Sequence, residues 1–245
     1  MQRIDGAPSS DRIPVGMRQR TQTALVIGGF GALGSAVSSQ LVIDGFTVLR
    51  SSRSVRQEAP DAVVFADEID TDVLPVLDAV VWAHGINVND SAATFNDDDL
   101  DRLLHVNVTV IARGLRDLLA AGRLAPGARV VVLSSIWQDL ARPDKYSYTI
   151  SKAAVGGLVR AAAMDLAPLG ILVNAVLPGV VDTPMTRSML SAEQIERVES
   201  ATPAGRIVGP DDVANVVGYL ASSRNTAVTG QSITVDLGFS VGRTL

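Results

Sequence analysis

Two periodicities alternate along the chain. Short runs of consecutive apolar, largely β-branched residues occupy 23–27, 46–49, 62–65, 79–82, 130–133, 171–177 and 232–236. Runs of this kind fit strands buried on both faces. Between them, apolar residues recur at helical spacing. One such stretch passes through Val37, Leu41 and Val42 and stops at Asp44 and Gly45. A second opens on Asn96 as N-cap, with Asp97, Asp98 and Asp99 facing the positive end of the helix dipole. It is expected to continue as one helix through Leu100, Leu103, Leu104, Val108, Ile111, Leu115 and Leu118. A third runs from Tyr148 to about Leu166, and a fourth opens at Pro210 and passes through Val213, Val216, Val217 and Leu220. Strand–helix alternation predicts an α/β domain: a parallel sheet of about seven strands with helices on both faces.

The pattern fails in three places. Residues 1–22 are polar and broken by Gly6, Pro8, Pro14 and Gly16, and read as a tail before a single domain over 23–245. The crossover 70–77 between the third and fourth strands is too short for a full helix, so a stub or irregular connection is expected there. From 182 to 203 the chain is polar and without a period, with Met185, Met189 and Leu190 interspersed. That is the composition of a lid over an apolar pocket, placed at about 182–205.

Composition narrows the chemistry. Hydrophobic residues make up 47% of the 245 and charged residues 19%, the balance of a well-packed domain. The net charge of −5 offers no basic field for nucleic acid or an anionic membrane, so neither is expected as a partner. There are no cysteines, which excludes disulfides, thiolate zinc sites and cysteine nucleophiles. With only His84 and His105, a histidine-built metal site is not expected, and the aspartate run at 97–99 reads as helix capping. No apolar stretch reaches the ~18 residues of a spanning helix, and the N-terminus lacks a signal-peptide core. A cytoplasmic protein is expected.

Chemistry enters at the strand ends. The first strand runs straight into Gly28, Gly29, Phe30, Gly31, Ala32, Leu33 and Gly34, and a helix follows. Gly29-x-Gly31-x-x-Gly34 in that context is the dinucleotide fingerprint, in which glycines let the backbone approach a pyrophosphate at a helix N-terminus. The sheet is therefore expected to be of the doubly wound Rossmann type. The second strand ends in Arg50, Ser51, Ser52 and Arg53, with no acid before Glu58. An acid at this place binds the ribose hydroxyl of NAD, whereas arginine accommodates a 2′-phosphate, so NADP(H) is the expected cofactor, held chiefly by Arg53 with Ser52 beside it. Asp67 and Glu68 at the end of the third strand, and Ala83, His84 and Gly85 at the end of the fourth, are further candidate cofactor contacts. His84 reads as a packed residue rather than a catalyst.

The remaining signal is Tyr148 and Lys152. Four residues apart on a helix, they share one face. A nearby ammonium favours the phenolate and is expected to lower the tyrosine's ordinary pKa of ~10 towards the range of a general acid/base. Ser135 closes the 130–133 strand and can direct its hydroxyl towards the tyrosine, with Ser134 as the neighbouring candidate. Asn107 is a polar residue on or near an apolar helical stripe and must find partners if buried.

Taken together these stretches resemble the short-chain dehydrogenase/reductase family in its compact single-domain form, over roughly residues 23–239. The resemblance implies that Tyr148 protonates a carbonyl oxygen as hydride leaves the cofactor. Lys152 would lower the tyrosine's pKa and bind the ribose, Ser135 would steady the substrate oxygen, and Asn107 would anchor a proton-relaying water. Pro178, Gly179, Val181 and Thr183 match the stretch that holds the nicotinamide carboxamide. Four features depart from the family's pattern: Ile27 before the first glycine, the spacing of Gly28, Gly31 and Gly34, Ala83 where the family has asparagine, and the stub before Ala79. The implied substrate is a small-molecule ketone or alcohol. Carrier-protein reductases of the family carry arginines where Pro126 and Leu169 stand, although Arg123 and Arg129 lie close to the first. A 3-oxoacyl-carrier-protein reductase, a pteridine reductase suggested by the glycine spacing, and a non-enzymatic NADP sensor are the alternatives. Trp137, Gln138, Arg142, Tyr146 and Met185 are candidate pocket walls. Family members usually pair the Asn107 and Tyr148 helices across a two-fold, so a homotetramer is expected, with Ala153, Gly156 and Gly157 as small residues at the contact.

Overall fold

The computed structural model of the chain describes residues 21–52, 61–64 and 68–242. Arg53 and Asp67 lie outside the described residues. Seven parallel strands form one sheet in the order β3-β2-β1-β4-β5-β6-β7. They are β1 (Thr23–Ile27), β2 (Thr47–Ser52), β3 (Ala62–Val64), β4 (Leu77–Trp82), β5 (Leu124–Leu133), β6 (Leu172–Pro178) and β7 (Ser232–Val235). The helices are α1 (Ala32–Ile43), α2 (Asp97–Leu104), α3 (Val110–Ala120), α4 (Tyr146–Leu166), α5 (Pro184–Met189), α6 (Ala192–Ala201) and α7 (Pro210–Ala221). The strand order reverses between β1 and β4, which opens a crevice at the carboxyl ends of those two strands.

Alternate residues of each strand feed two separate cores, which is why the runs are continuously apolar. Leu25, Ile27, Val80, Trp82, Val130, Val132, Val173 and Leu177 pack under Ile111, Leu115 and Leu118 of α3 and Val155, Val159 and Ala163 of α4. Ala24, Val26, Val81, Val131 and Val176 pack on the other face under Val37 and Leu41 of α1 and Val213, Val217 and Leu220 of α7.

Three segments depart from expectation. The helix expected to run unbroken from Asp97 to Leu118 is interrupted by a π-turn over His105–Thr109, so α2 and α3 are distinct. Strand β5 begins six residues before its apolar run, because Pro126 and Gly127 (φ +74°) hide the alternation there. The 182–203 stretch is not irregular. Thr183 Oγ1 accepts the Thr186 N–H to cap α5, and Ser191 with Gln194 forms a reciprocal capping box that starts α6. The short 70–77 crossover holds no helix among the described residues, as expected.

Two buried asparagines hold the β6–β7 edge. Asn174, 1% exposed in the middle of β6, donates to Val228 O at 2.7 Å and accepts from Gln231 N at 3.1 Å. Asn225 is fully buried and bonds Val228 in both directions. Asn174→Ala leaves a buried carbonyl and a backbone N–H unpaired, and is expected to lower unfolding free energy by about 1–3 kcal/mol in urea titration; a loss within error would show that the loop is held by other contacts.

Candidate active site

The turn after β1 is as tight as its glycines suggested. Gly28 has φ +80°, and a Cβ there would stand 2.9 Å from the backbone nitrogen of His84, so the turn lies directly against the end of β4. A Cβ on Gly34 would stand 2.1 Å from Gly28 O. At Gly31, by contrast, the only atom of the described residues within 4 Å of an added Cβ, its chain neighbours aside, is Gly28 O at 3.4 Å, so the front of the turn is open there. Gly31 caps α1 without a side chain, which leaves the first N–H groups of that helix, from Ala32, Leu33 and Gly34, without a side-chain acceptor. An open turn with free N–H groups at a helix N-terminus fits a dinucleotide pyrophosphate. Ser51 steadies the turn by accepting the Gly28 N–H at 2.9 Å.

Asn107 sits inside the π-turn, 1% exposed. Its Nδ2 donates to Ile86 O and to Ser151 Oγ, each at 3.0 Å, while Oδ1 accepts the Ile86 N–H at 2.9 Å. Both donors of the amide are engaged in joining the segment after β4 to α4, so Asn107 braces the site, and any water it holds is bound through an oxygen. π-turns of this kind recur at functional sites because the extra residue re-aims a side chain. His84 packs with Nε2 2.9 Å from Val106 O, in the same turn, in keeping with its reading as a packed residue.

The sequence-selected triad comes together at the carboxyl ends of β4 and β5. Lys152, 4% exposed, donates from Nζ to Leu133 O at 3.2 Å and stands 5.7 Å from the centroid of the Tyr148 ring. The Ser135 hydroxyl lies near the Tyr148 phenol, where it favours the phenolate, and accepts the Trp137 N–H at 3.3 Å. Ser134 Oγ is buried and without a partner, so the serine beside the tyrosine is Ser135. A Cβ on Gly85 would meet Asn107 Oδ1 at 3.3 Å and Lys152 Nζ at 3.6 Å, so the strand end lies against the same cluster.

The electrostatics run opposite to the expectation for the tyrosine. Burial pushes the Tyr148 phenol up to about 12, and the Ser135 hydrogen bond only partly opposes it. Burial likewise pulls the Lys152 ammonium down to about 8. Without a ligand, removal from water outweighs the lysine's pull on the phenolate. The tyrosine is therefore neutral and carries its proton.

Other expected contacts are distributed less evenly. Arg50 is ion-paired to Asp61 through Nε and Nη2 and stacks 4.3 Å from the centroid of the Phe30 ring, so it is engaged within the chain. Arg53 and Asp67 are not described, and Glu68 is exposed. Ser52 ends β2, and Ala83 follows β4 with its N–H on Ile27 O at 2.8 Å. Past β6, Pro178 pairs in register with Val235, the Gly179 N–H bonds Val235 O at 2.9 Å, and Val181 bridges Val208. Thr183 Oγ1 is drawn into its helix cap. Gln138 is no pocket wall: its amide donates to Ser232 Oγ at 2.9 Å and fills the notch at Gly156, where a Cβ would stand 2.9 Å away. Arg142 lies 5.6 Å over Trp137, Tyr146 lies 5.5 Å from Phe95, and Met185 is exposed. Sequence reasoning missed Ser51, Ser151 and Lys145. Serines at a strand end and a helix face carry no pattern, and a single lysine before a helix carries none either.

Two buried lysines make stability depend on pH. Lys145 and Lys152 are both pulled to about 8 from 10.5, so between those values the unfolded chain binds more protons than the folded one. Stability is then lost as pH falls through 8 and gained towards 10, until Tyr148, pushed the other way, reverses the slope. Unfolding free energies from urea titration are expected to be roughly 2–4 kcal/mol higher at pH 9.5 than at pH 7.5, and Lys152→Met should shrink that gain; an identical pH slope in the variant would refute the assignment.

The comparisons agree with this geometry. A family model described as enoyl-(acyl carrier protein) reductase matches residues 55–240. The cyclic-di-GMP-binding biofilm dispersal mediator protein of Escherichia coli (strain K12) is 30% identical over 233 residues, covering 89% of this chain and 97% of that protein. The crystal structure of a short chain dehydrogenase family protein from Francisella tularensis superposes with a TM-score of 0.82 at 25% identity, covering 91% of this chain and 100% of the other. A gluconate 5-dehydrogenase from Burkholderia cenocepacia J2315, solved with NADP and tartrate, gives a TM-score of 0.80 at 25% identity over 92% of this chain and 98% of its own. With its parallel sheet, glycine turn and Ser135–Tyr148–Lys152 cluster, the chain belongs to the short-chain dehydrogenase/reductase family.

Proposed function

We propose that the protein is an NADP(H)-dependent oxidoreductase that interconverts a small-molecule ketone and its alcohol, with Tyr148 as the proton donor. The observation that carries this reading is the protonated Tyr148 phenol with Ser135 beside it and the Lys152 ammonium 5.7 Å from its ring centroid, next to the glycine-lined crevice. When bound, the nicotinamide supplies or accepts hydride at the substrate carbon. The chain's own groups do the rest. Ser135 donates to the carbonyl oxygen and orients it towards the phenol, so that charge developing on that oxygen meets two hydroxyl donors. Tyr148 then gives up its proton to the oxygen, and Lys152 offsets the phenolate left behind. Asn107 and Ser151 hold α4 against the strand ends, so the donors are in place before substrate arrives. Ser151 Oγ also donates to Tyr148 O at 2.8 Å, which secures the turn carrying the phenol.

Carrier-protein substrates are disfavoured by Arg129, whose guanidinium donates to Asn225 O through Nε and Nη2 and is engaged within the fold. The gluconate dehydrogenase relative was solved with NADP, which supports the cofactor reading. Among the described residues no helix is long and apolar enough to cross a membrane.

Tyr148→Phe is expected to lower kcat about 100-fold or more while NADPH affinity stays within a few-fold. Because the phenol is pushed up to about 12, carbonyl reduction should hold its rate at neutral pH, whereas alcohol oxidation, which needs the phenolate, should accelerate as pH rises. Wild-type protein that turns over no member of a broad carbonyl and alcohol panel would favour a nucleotide-sensing protein instead. For the cofactor, NADPH is expected to bind at least about tenfold more tightly than NADH, and Arg53→Asp to remove that preference through loss of the 2′-phosphate partner. Equal affinities in the wild type would defeat the NADP(H) assignment.

A further inference from the structure

A second lysine stands beside the reacting phenol. Lys145, the residue preceding α4, is 4% exposed, and its Nζ lies 5.6 Å from the centroid of the Tyr148 ring. That is the distance at which Lys152 stands from the same ring, within 0.1 Å. Lys152 has a role in the proton transfer, and Lys145 has none. Its ammonium donates to Asn87 Oδ1 at 2.8 Å and to Asn89 Oδ1 at 2.5 Å, both on the loop that follows β4.

Those partners satisfy two donors but not the charge. An ammonium carries three donors and a full positive charge, and amide oxygens supply no counter-charge. Among the described residues no carboxylate lies within ion-pair distance of Lys145. Arg142 acts on it from the preceding loop as a like charge, and Asp90 and Asp144 attract it only from beyond pairing range. Asp90 Oδ1 is occupied in capping α4 through the Ser147 N–H at 3.0 Å, and Asp144 is exposed. Burial, and after it Arg142, pulls the Lys145 ammonium down to about 8, so the group is still charged at neutral pH. A buried cation whose direct partners are neutral is costly, the attraction of Asp90 and Asp144 offsets burial only in part, and a counter-ion that arrives with the substrate lowers the cost further.

We propose that Lys145, presented by Asn87 and Asn89, is a specificity-determining residue that binds a carboxylate, and that the substrate is a short oxo acid or hydroxy acid. The inference rests on the oxidoreductase reading above and names its substrate class. The ammonium borders the ring whose hydroxyl gives the proton, which places the charge beside the reacting group. Asn89 lies on an exposed stretch of loop, and its oxygen can give way to a carboxylate oxygen, replacing a neutral hydrogen bond by a charge-assisted one.

Acetoacetate and methyl acetoacetate test this, since they share the carbonyl and differ in the charge. Binding of each to the complex with NADP+, where no reduction can occur, is measured by calorimetry, alongside kcat/KM with NADPH. The wild type is expected to prefer the acid by about 10- to 100-fold in both measurements. Lys145→Gln should abolish that ratio, mainly through KM, and Lys145→Arg should keep most of it, with NADPH affinity reporting that each variant is folded. An acid-to-ester ratio near one in the wild type, or one unchanged in Lys145→Gln, overturns the proposal, as does absence of binding by either compound. Lys145-dependent acid binding with no turnover of any carbonyl would leave the carboxylate site standing and sink the oxidoreductase reading. Turnover of the ester without preference for the acid would do the reverse.

Discussion

One amide side chain joins the three parts from which the crevice is built. Asn107 reaches from the π-turn to both backbone groups of Ile86 and to Ser151 in α4, and in doing so it fixes the distance between the fourth strand and the helix that carries Tyr148 and Lys152. Three hydrogen bonds in a buried setting are individually modest, but each would leave an orphaned group if the amide were lost. A regular α-helix through residue 107 would carry the side chain at a different angle. The π-turn, with its inferior hydrogen-bond geometry, is the local cost at which this placement is obtained.

Around that strut, removal from water sets the protonation states. The phenol is raised and the two neighbouring ammonium groups are lowered, because each prefers its uncharged form when buried. The ligand-free protein thus holds its proton on the tyrosine. The two lysines beside that ring are held differently: Lys152 donates to the Leu133 carbonyl, and Lys145 donates to the side chains of Asn87 and Asn89 on the loop after β4.

Much of this was legible in the chain itself, and the reasons differ by element. The apolar runs of β1 and β4 and the period of α7 are visible because both faces of the sheet are covered, so burial writes itself onto consecutive residues. The glycine turn was visible because only Gly28 tolerates its φ and only Gly34 its contact. The π-turn was not visible: one extra residue within an otherwise helical stripe leaves the apolar spacing nearly intact. The helices α5 and α6 are announced only by their caps, Thr183-Pro184 and Ser191 with Gln194, because their composition is polar and carries no apolar period. The direction of the Tyr148 shift was misjudged because a sequence shows the neighbouring charge and not the depth of burial. Lys145 carries no signal for a related reason: its partners, Asn87 and Asn89, are nearly sixty residues away in the chain and adjacent only once β4 and α4 have met.

The sheet is parallel throughout, and the groups at its crevice come from β1, β4, β5 and α4, which are far apart in sequence. No fragment of the chain contains more than a part of them, and each pairing waits on a long crossover. A dinucleotide therefore has nothing to hold until nearly the whole domain has closed. Its affinity adds to the resistance of the entire domain to heat and denaturant, rather than to one loop. In a cell, the supply of that small molecule and the lifetime of the polypeptide become one variable.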